Sequence, residues 1–251
     1  LQILHLEDQY VPTSIPKSVR HLSYNGIKVK KSQRTYEPLT VGCEHVETLQ
    51  FQGYRISLLP LSRFSNLRSL SIMSHTTTKL FTEEYEFEAY RRATRLVGKE
   101  CARIITEFVA CSLQELTLRY CSASTLSPLA KFQGLTHLNM FYSCNISNLD
   151  GLFGLPLKTL ILHGCANLVS IGALRDSFDL EFLDLADCRR LADVSALFAL
   201  PKLKAVWLKN VPIPSLQMFE LQNRKTKVYR GFEDDDPDAY RCAFGHLLIH
   251  T

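Results

Sequence analysis

The chain has 251 residues, 46% of them hydrophobic and 22% charged, with a formal net charge of +4. These values exclude a disordered or low-complexity polymer, and no run of 18 apolar residues offers a membrane-spanning helix. The charge is well short of a dedicated nucleic-acid binder, and about 40 leucines, near 16% of the chain, direct attention to internal repeats.

The pattern Leu-x-x-Leu-x-Leu recurs from the first residue onward. Variants occur at Leu1–Leu6, Val19–Tyr24, Val46–Phe51 and Leu67–Ile72. Clean copies follow at Leu113–Leu118, Leu157–Leu162 and Leu180–Leu185, with variants at Leu135–Met140 and Leu203–Leu208. Lys225–Arg230 is a weaker tenth copy. From Leu113 onward, successive starts are 22, 22, 23 and 23 residues apart. Alternation such as Leu183/Leu185 is the period of a strand with one buried face. Positions further on, such as Leu191, Val194, Leu197 and Leu200, step by three, which suits a 3₁₀ or short helical return.

This pattern resembles the leucine-rich repeat, in particular its 22-residue class, typified by the phosphatase-1 regulatory subunit and axonemal dynein light chain. Phrases such as Ala192–Leu203 (ADVSALFALPKL) also resemble cysteine-containing leucine-rich-repeat proteins of trypanosomatid parasites. The resemblance implies an α/β solenoid: a horseshoe with a parallel concave sheet, short 3₁₀ or helical convex returns and one helical insertion. It also places Cys121, Cys165 and Cys188 at the family's Asn/Cys position, with Ser143 taking that place in the Leu135 unit. There a small polar side chain turns inward and bonds neighbouring backbone. A metal-binding role for this column is the alternative, but no paired Cys/His spacing supports it. Neither a metal nor a cofactor is expected.

The implied organisation is N-terminal repeats over 1–77, a helical insertion over 78–112, regular repeats over 113–230 and a C-terminal cap over 231–251. The insertion lacks the repeat and spaces Phe81, Tyr85, Leu96, Cys101, Ile105 and Phe108 helically. It either packs on its own solenoid or offers a partner a second contact through residues 80–110. Lys28, Lys30, Lys31 and Arg34 fall in one stretched loop, which is either simply solvated or a contact for RNA phosphate. After Gly231 the chain turns acidic (GFEDDDPDAY) and then apolar; the apolar part is expected to cover the open end of the core. The acidic run lacks the spacing of a calcium loop.

If the register holds, residues between strand leucines face outward on the concave sheet. Unit by unit they are Glu115, Thr117, Arg119 and Tyr120; His137, Asn139, Phe141 and Tyr142; Thr159, Ile161, His163 and Gly164; Phe182, Asp184, Ala186 and Asp187; Ala205, Trp207, Lys209 and Asn210. Aromatic residues interspersed with charge are what a binding hot spot needs. The expected partner-binding set is Arg119, Tyr120, Phe141, Tyr142, His163, Phe182, Asp184, Asp187, Trp207 and Lys209. The alternative is that the aromatics lie under the C-terminal segment.

No GxSxG, P-loop, HExxH or dinucleotide-binding glycine motif occurs, so no catalytic residue is expected. The expected function is a non-catalytic protein-interaction scaffold, a subunit of a larger assembly. The alternative is an RNA-contacting structural subunit of a ribonucleoprotein, such as a mitochondrial ribosome or an RNA-processing complex. Eight cysteines without a CxxC suggest reduced thiols and an intracellular site, cytoplasmic or, if a presequence has been removed, mitochondrial.

Overall fold

The structure is a computed structural model that describes residues 2–7, 14–26, 42–53, 63–73, 99, 101–103, 105–106, 112–231 and 237–244. Ten strands form one sheet in chain order: β1 (Ile3–Glu7), β2 (His21–Gly26), β3 (Thr48–Gly53), β4 (Ser69–Met73), β5 (Glu115–Leu118), β6 (His137–Asn139), β7 (Thr159–Ile161), β8 (Phe182–Asp184), β9 (Ala205–Trp207) and β10 (Lys227–Tyr229). Every neighbouring pair is parallel. Parallel neighbours need a crossover between them, and one repeat supplies one crossover. The expected solenoid with a parallel concave sheet is therefore present, and the weak tenth repeat forms a strand.

The register aligns Leu22, Leu49, Leu70, Leu116, Leu138, Leu160, Leu183 and Val206 in one row. Each is at most 1% exposed. Removing a leucine side chain from water contributes about 1.5–3 kcal/mol, so this row is a large part of what fixes the register.

The returns are 3₁₀ turns at Ser127–Lys131, Asp150–Leu152, Gly172–Asp176 and Ser195–Ala199. They follow from the three-residue spacing, which brings Leu149/Leu152/Leu155 and Val194/Leu197/Leu200 onto the inner side, all buried. Gly151 is required at one crossing, because a Cβ there would lie 1.9 Å from the Leu126 carbonyl oxygen of the preceding unit. Helix α1 (Ser215–Gln222) replaces the last 3₁₀ return and seals the row with Met218 and Leu221.

Of the expected helical insertion, described helical residues are Lys99, Cys101–Arg103, Ile105 and Thr106. Cys101 and Ile105 are buried in the leucine core, so this part packs on its own solenoid. The basic loop Lys28–Arg34 and the acidic run 232–236 lie outside the described residues.

The C-terminal helix departs from expectation. Helix α2 (Pro237–Phe244) does not close the open end of the leucine core. Ala243 and Phe244 join a separate cluster with Ile161, Ala205, Trp207 and Tyr229, which are on the other face of the sheet. The reason is chemical: β7–β10 offer large apolar groups on the concave face, and an eight-residue helix is stable only when docked.

Candidate functional site

Four rows of side chains run across the concave face, each set by the register. The first is Glu115, His137, Thr159, Phe182, Ala205 and Lys227; the second is Thr117, Asn139, Ile161, Asp184, Trp207 and Tyr229. Two residues beyond the first five members of the second row stand Arg119, Phe141, His163, Ala186 and Lys209. Next to these stand Tyr120, Tyr142, Gly164, Asp187 and Asn210, all with φ between 55° and 72°.

The second row explains how the third is held. Asn139 Oδ1 accepts from the Phe141 amide at 3.1 Å, and Asp184 Oδ1 accepts from the Ala186 amide at 2.8 Å. These local side-chain-to-backbone bonds turn the chain as it leaves the strand. The fourth row then takes the left-handed conformation while its amides still reach the next unit. Tyr120, Tyr142, Gly164 and Asp187 donate to the carbonyls of Phe141, His163, Ala186 and Lys209 at 2.8–2.9 Å. Glycine, asparagine and aspartate tolerate this backbone, but a bulky residue there is strained. Two tyrosines in it are the structure's clearest local departure from what stability alone would select.

Just beyond, the thiol ladder is built as the resemblance implies. Cys188 Sγ donates to the Leu162 carbonyl at 3.2 Å and Cys165 Sγ to that of Met140 at 3.4 Å; Ser143 Oγ accepts from the Cys121 amide at 3.1 Å. Burial pushes the Cys121 thiol up to about 11 and that of Cys165 to about 12, and raises that of Cys188 as well. Thiols so protonated are poor nucleophiles and poor metal ligands. Among the described residues no three His, Cys, Asp or Glu side chains converge as ligands for a metal ion.

The repeat, the in-order parallel sheet and this inward ladder together decide the architecture. This is a leucine-rich-repeat fold. No protein-family model matches the sequence, and no curated protein matches it. Among solved structures the chain is similar to an internalin (inlF) from Listeria monocytogenes, with 16% identity and a TM-score of 0.48 over 85% of this chain. It spans 61% of that chain's length. It is also similar to the leucine-rich-repeat domain of the type III effector XopL, with 17% identity and a TM-score of 0.46 over 86% of this chain and 78% of that one. A leucine-rich-repeat protein of Leptospira interrogans is 15% identical, with a TM-score of 0.46 over 84% of this chain and 55% of that one.

Within this repeat frame the expected partner-binding residues divide into two groups. Tyr120, Phe141, Tyr142 and His163 come together as one ledge. Tyr120 stacks on Tyr142 at 5.7 Å between centroids, Tyr142 meets Phe141 edge-on at 4.5 Å, and Phe141 stacks on His163 at 4.7 Å. The Arg119 guanidinium carbon is 5.1 Å from the Phe141 centroid. Tyr142 is 39% exposed. Its ring lies over Gly164, where a Cβ would come within 2.1 Å of it, so glycine in that row makes the seat for tyrosine. Asp187 continues the ledge: Asn210 and Arg189 both donate to its Oδ1 at 2.9 Å. Its burial would raise the pKa, but those bonds and the nearby His163 outweigh it and hold the carboxyl below its ordinary value. Lys209 is half-buried at the far end of the third row.

The second group is corrected. Trp207 is only 4% exposed and Asp184 is fully buried, although both occupy nominally outward positions. Trp207 stacks on Tyr229 at 4.7 Å and is covered by Tyr240 at 5.2 Å and Phe244 at 4.8 Å. Tyr240 Oη donates to Asp184 Oδ2 at 2.6 Å, and His163 Nδ1 lies 3.3 Å from the same oxygen. Phe182 is half-buried against the edge of Phe244. The sequence reading of the face missed Tyr240 and Phe244. Their signal was present as an i, i+4 aromatic pair after Pro237, a residue favoured in a first helical turn.

Proposed function

We propose that the chain is a non-catalytic interaction module that captures a protein partner on the open part of its concave face, along Tyr120, Phe141, Tyr142 and His163. The observation that carries this reading is the partly exposed aromatic ledge, two of whose tyrosines stand on left-handed backbone. Aromatic rings at the centre of a preformed surface provide most of the energy of many interfaces, and a rigid sheet loses little entropy on binding. A place as a fixed subunit of a larger assembly suits this reading. So does a reducing, intracellular setting, since the seven described cysteines are free and five of them are buried. No described helix is long and apolar enough to cross a membrane.

The test is affinity capture with mass spectrometry, with and without nuclease, followed by Phe141→Ala and Tyr142→Ala variants against the partner identified. Each substitution is expected to weaken binding by about 2 kcal/mol. Unchanged affinity in both overturns the assignment of the ledge. Capture that disappears with nuclease overturns it in favour of the RNA-contacting reading attached to Lys28–Arg34.

A further inference from the structure

Arg119 is a cation set into this surface with no salt-bridge partner among the described residues. Its Nε is buried and has no hydrogen-bond acceptor among the described residues. Two carboxylates of the same face are engaged elsewhere. Asp184 is held by the Tyr240 hydroxyl and the Ala186 amide, and Asp187 by Arg189 and Asn210. Glu115 stands at the other end of β5, four residues away, roughly 13 Å along an extended strand. Burial lowers the Arg119 pKa, and the ionisable groups that oppose this are the phenols of Tyr120 and Tyr240. The Phe141 ring offers some compensation, at 5.1 Å. A guanidinium partly removed from water is costly without a carboxylate or phosphate partner. The five planar donors of Arg match a carboxylate fork.

We propose that Arg119 is the receptor for a single carboxylate of the protein partner, an Asp or Glu side chain next to an aromatic or aliphatic residue that rests on Phe141 and Tyr142. The proposal rests on the ledge being the interaction face and adds the partner's chemistry to it. A polyphosphate chain fits less well, because its further charges would run along a face that also carries Asp187 and Glu115. One carboxylate within an otherwise apolar contact meets the Arg119 guanidinium and the rings around it.

The experiment uses the full chain and a library of random twelve-residue peptides displayed on phage. Selection on the wild type, with counter-selection on Tyr142→Ala, isolates ligands of the ledge. Expected is enrichment of Asp or Glu beside an aromatic or aliphatic residue. Replacing that acid by its amide should weaken binding about tenfold or more to the wild type, and at most about twofold to Arg119→Met. Arg119→Met should melt at the wild-type temperature or above it, since it removes an unpaired, partly buried charge. Ledge-binding peptides without carboxylate dependence overturn the role of Arg119 and leave the interaction face standing. Absence of any ledge-binding peptide overturns both. A fall in melting temperature of more than about 5 °C in Arg119→Met makes the residue structural and overturns the proposal. Binding of a 20-nucleotide oligouridine RNA that is lost in Arg119→Met overturns it in favour of nucleic acid.

Discussion

The concave face carries two aromatic regions, one on the strands and one on the turns just beyond them, and the rest of the chain treats them differently. On β9 and β10, Trp207 and Tyr229 are stacked and closed over by Tyr240 and Phe244. On the turns after β5 and β6, Tyr120, Phe141 and Tyr142 are stacked in much the same way, but Tyr142 is 39% exposed. Both are outward positions of the same pattern. A helix arriving from the C-terminus turns one region into a core and leaves the other as a surface. An outward aromatic in a repeat therefore gains meaning only once the non-repeat segments have been placed.

The largest expected effect tests the closed region. Phe244 is fully buried and outside the leucine core. Phe244→Ala should weaken the docking of α2 by about 3 kcal/mol or more. Because α2 contributes to the second cluster and not to the first, the loss should be local. Trp207 is the chain's only tryptophan and reports on this directly. Its emission should shift to the red at a denaturant concentration well below that at which the circular dichroism of the solenoid is lost. Coincident transitions would mean that cap and solenoid are one cooperative unit, and the division drawn above would fail.

A smaller effect is expected at the boundary between the regions. Tyr240 Oη donates to the fully buried Asp184 carboxylate, which His163 approaches from the open side. Tyr240→Phe keeps the ring over Trp207 and removes the donor. A hydrogen bond to a buried charge contributes about 1.5–3 kcal/mol. Urea denaturation followed by Trp207 emission should show a loss in that range. A negligible loss would show that the Ala186 amide and His163 suffice for Asp184, and that the two regions meet through the histidine.

How much of this was legible in the sequence differs between the same two regions. The leucine row, the 3₁₀ returns and the inward thiols are periodic, so each unit repeats the evidence of the last. The ledge was legible too, since the residues flanking the strand leucines have one outward direction. Trp207 was misread because its exposure depends on Tyr240 and Phe244, 33 and 37 residues further on in a segment without the repeat. Their i, i+4 spacing marks an apolar helix stripe, but spacing alone does not say against which surface a stripe docks. Nor could periodicity reveal that Tyr120 and Tyr142 adopt left-handed backbone. The cue is the row they belong to, whose other members are Gly164, Asp187 and Asn210. A row of glycine, aspartate and asparagine predicts positive φ, and tyrosine is the exception in it.

The smallest effect on stability is expected where the effect on binding is largest. Tyr142 has φ 55°, and replacing a non-glycine residue there by glycine relieves about 1 kcal/mol of backbone strain. The same change removes the ring that stacks on Tyr120 and meets Phe141 and His163 edge-on, contacts that contribute about 0.5–1.5 kcal/mol each. Greater freedom of glycine in the unfolded chain adds a further small cost. These terms oppose one another, and with Tyr142 39% exposed its ring contacts count near the low end of their range, so the net change for Tyr142→Gly should stay within about 2 kcal/mol, whereas partner affinity should fall by at least as much as in Tyr142→Ala. Denaturation and binding measured on the same preparation separate the two quantities. A loss of stability as large as that of Phe244→Ala would place Tyr142 in a core of its own, and the contrast between a closed and an open region would not hold.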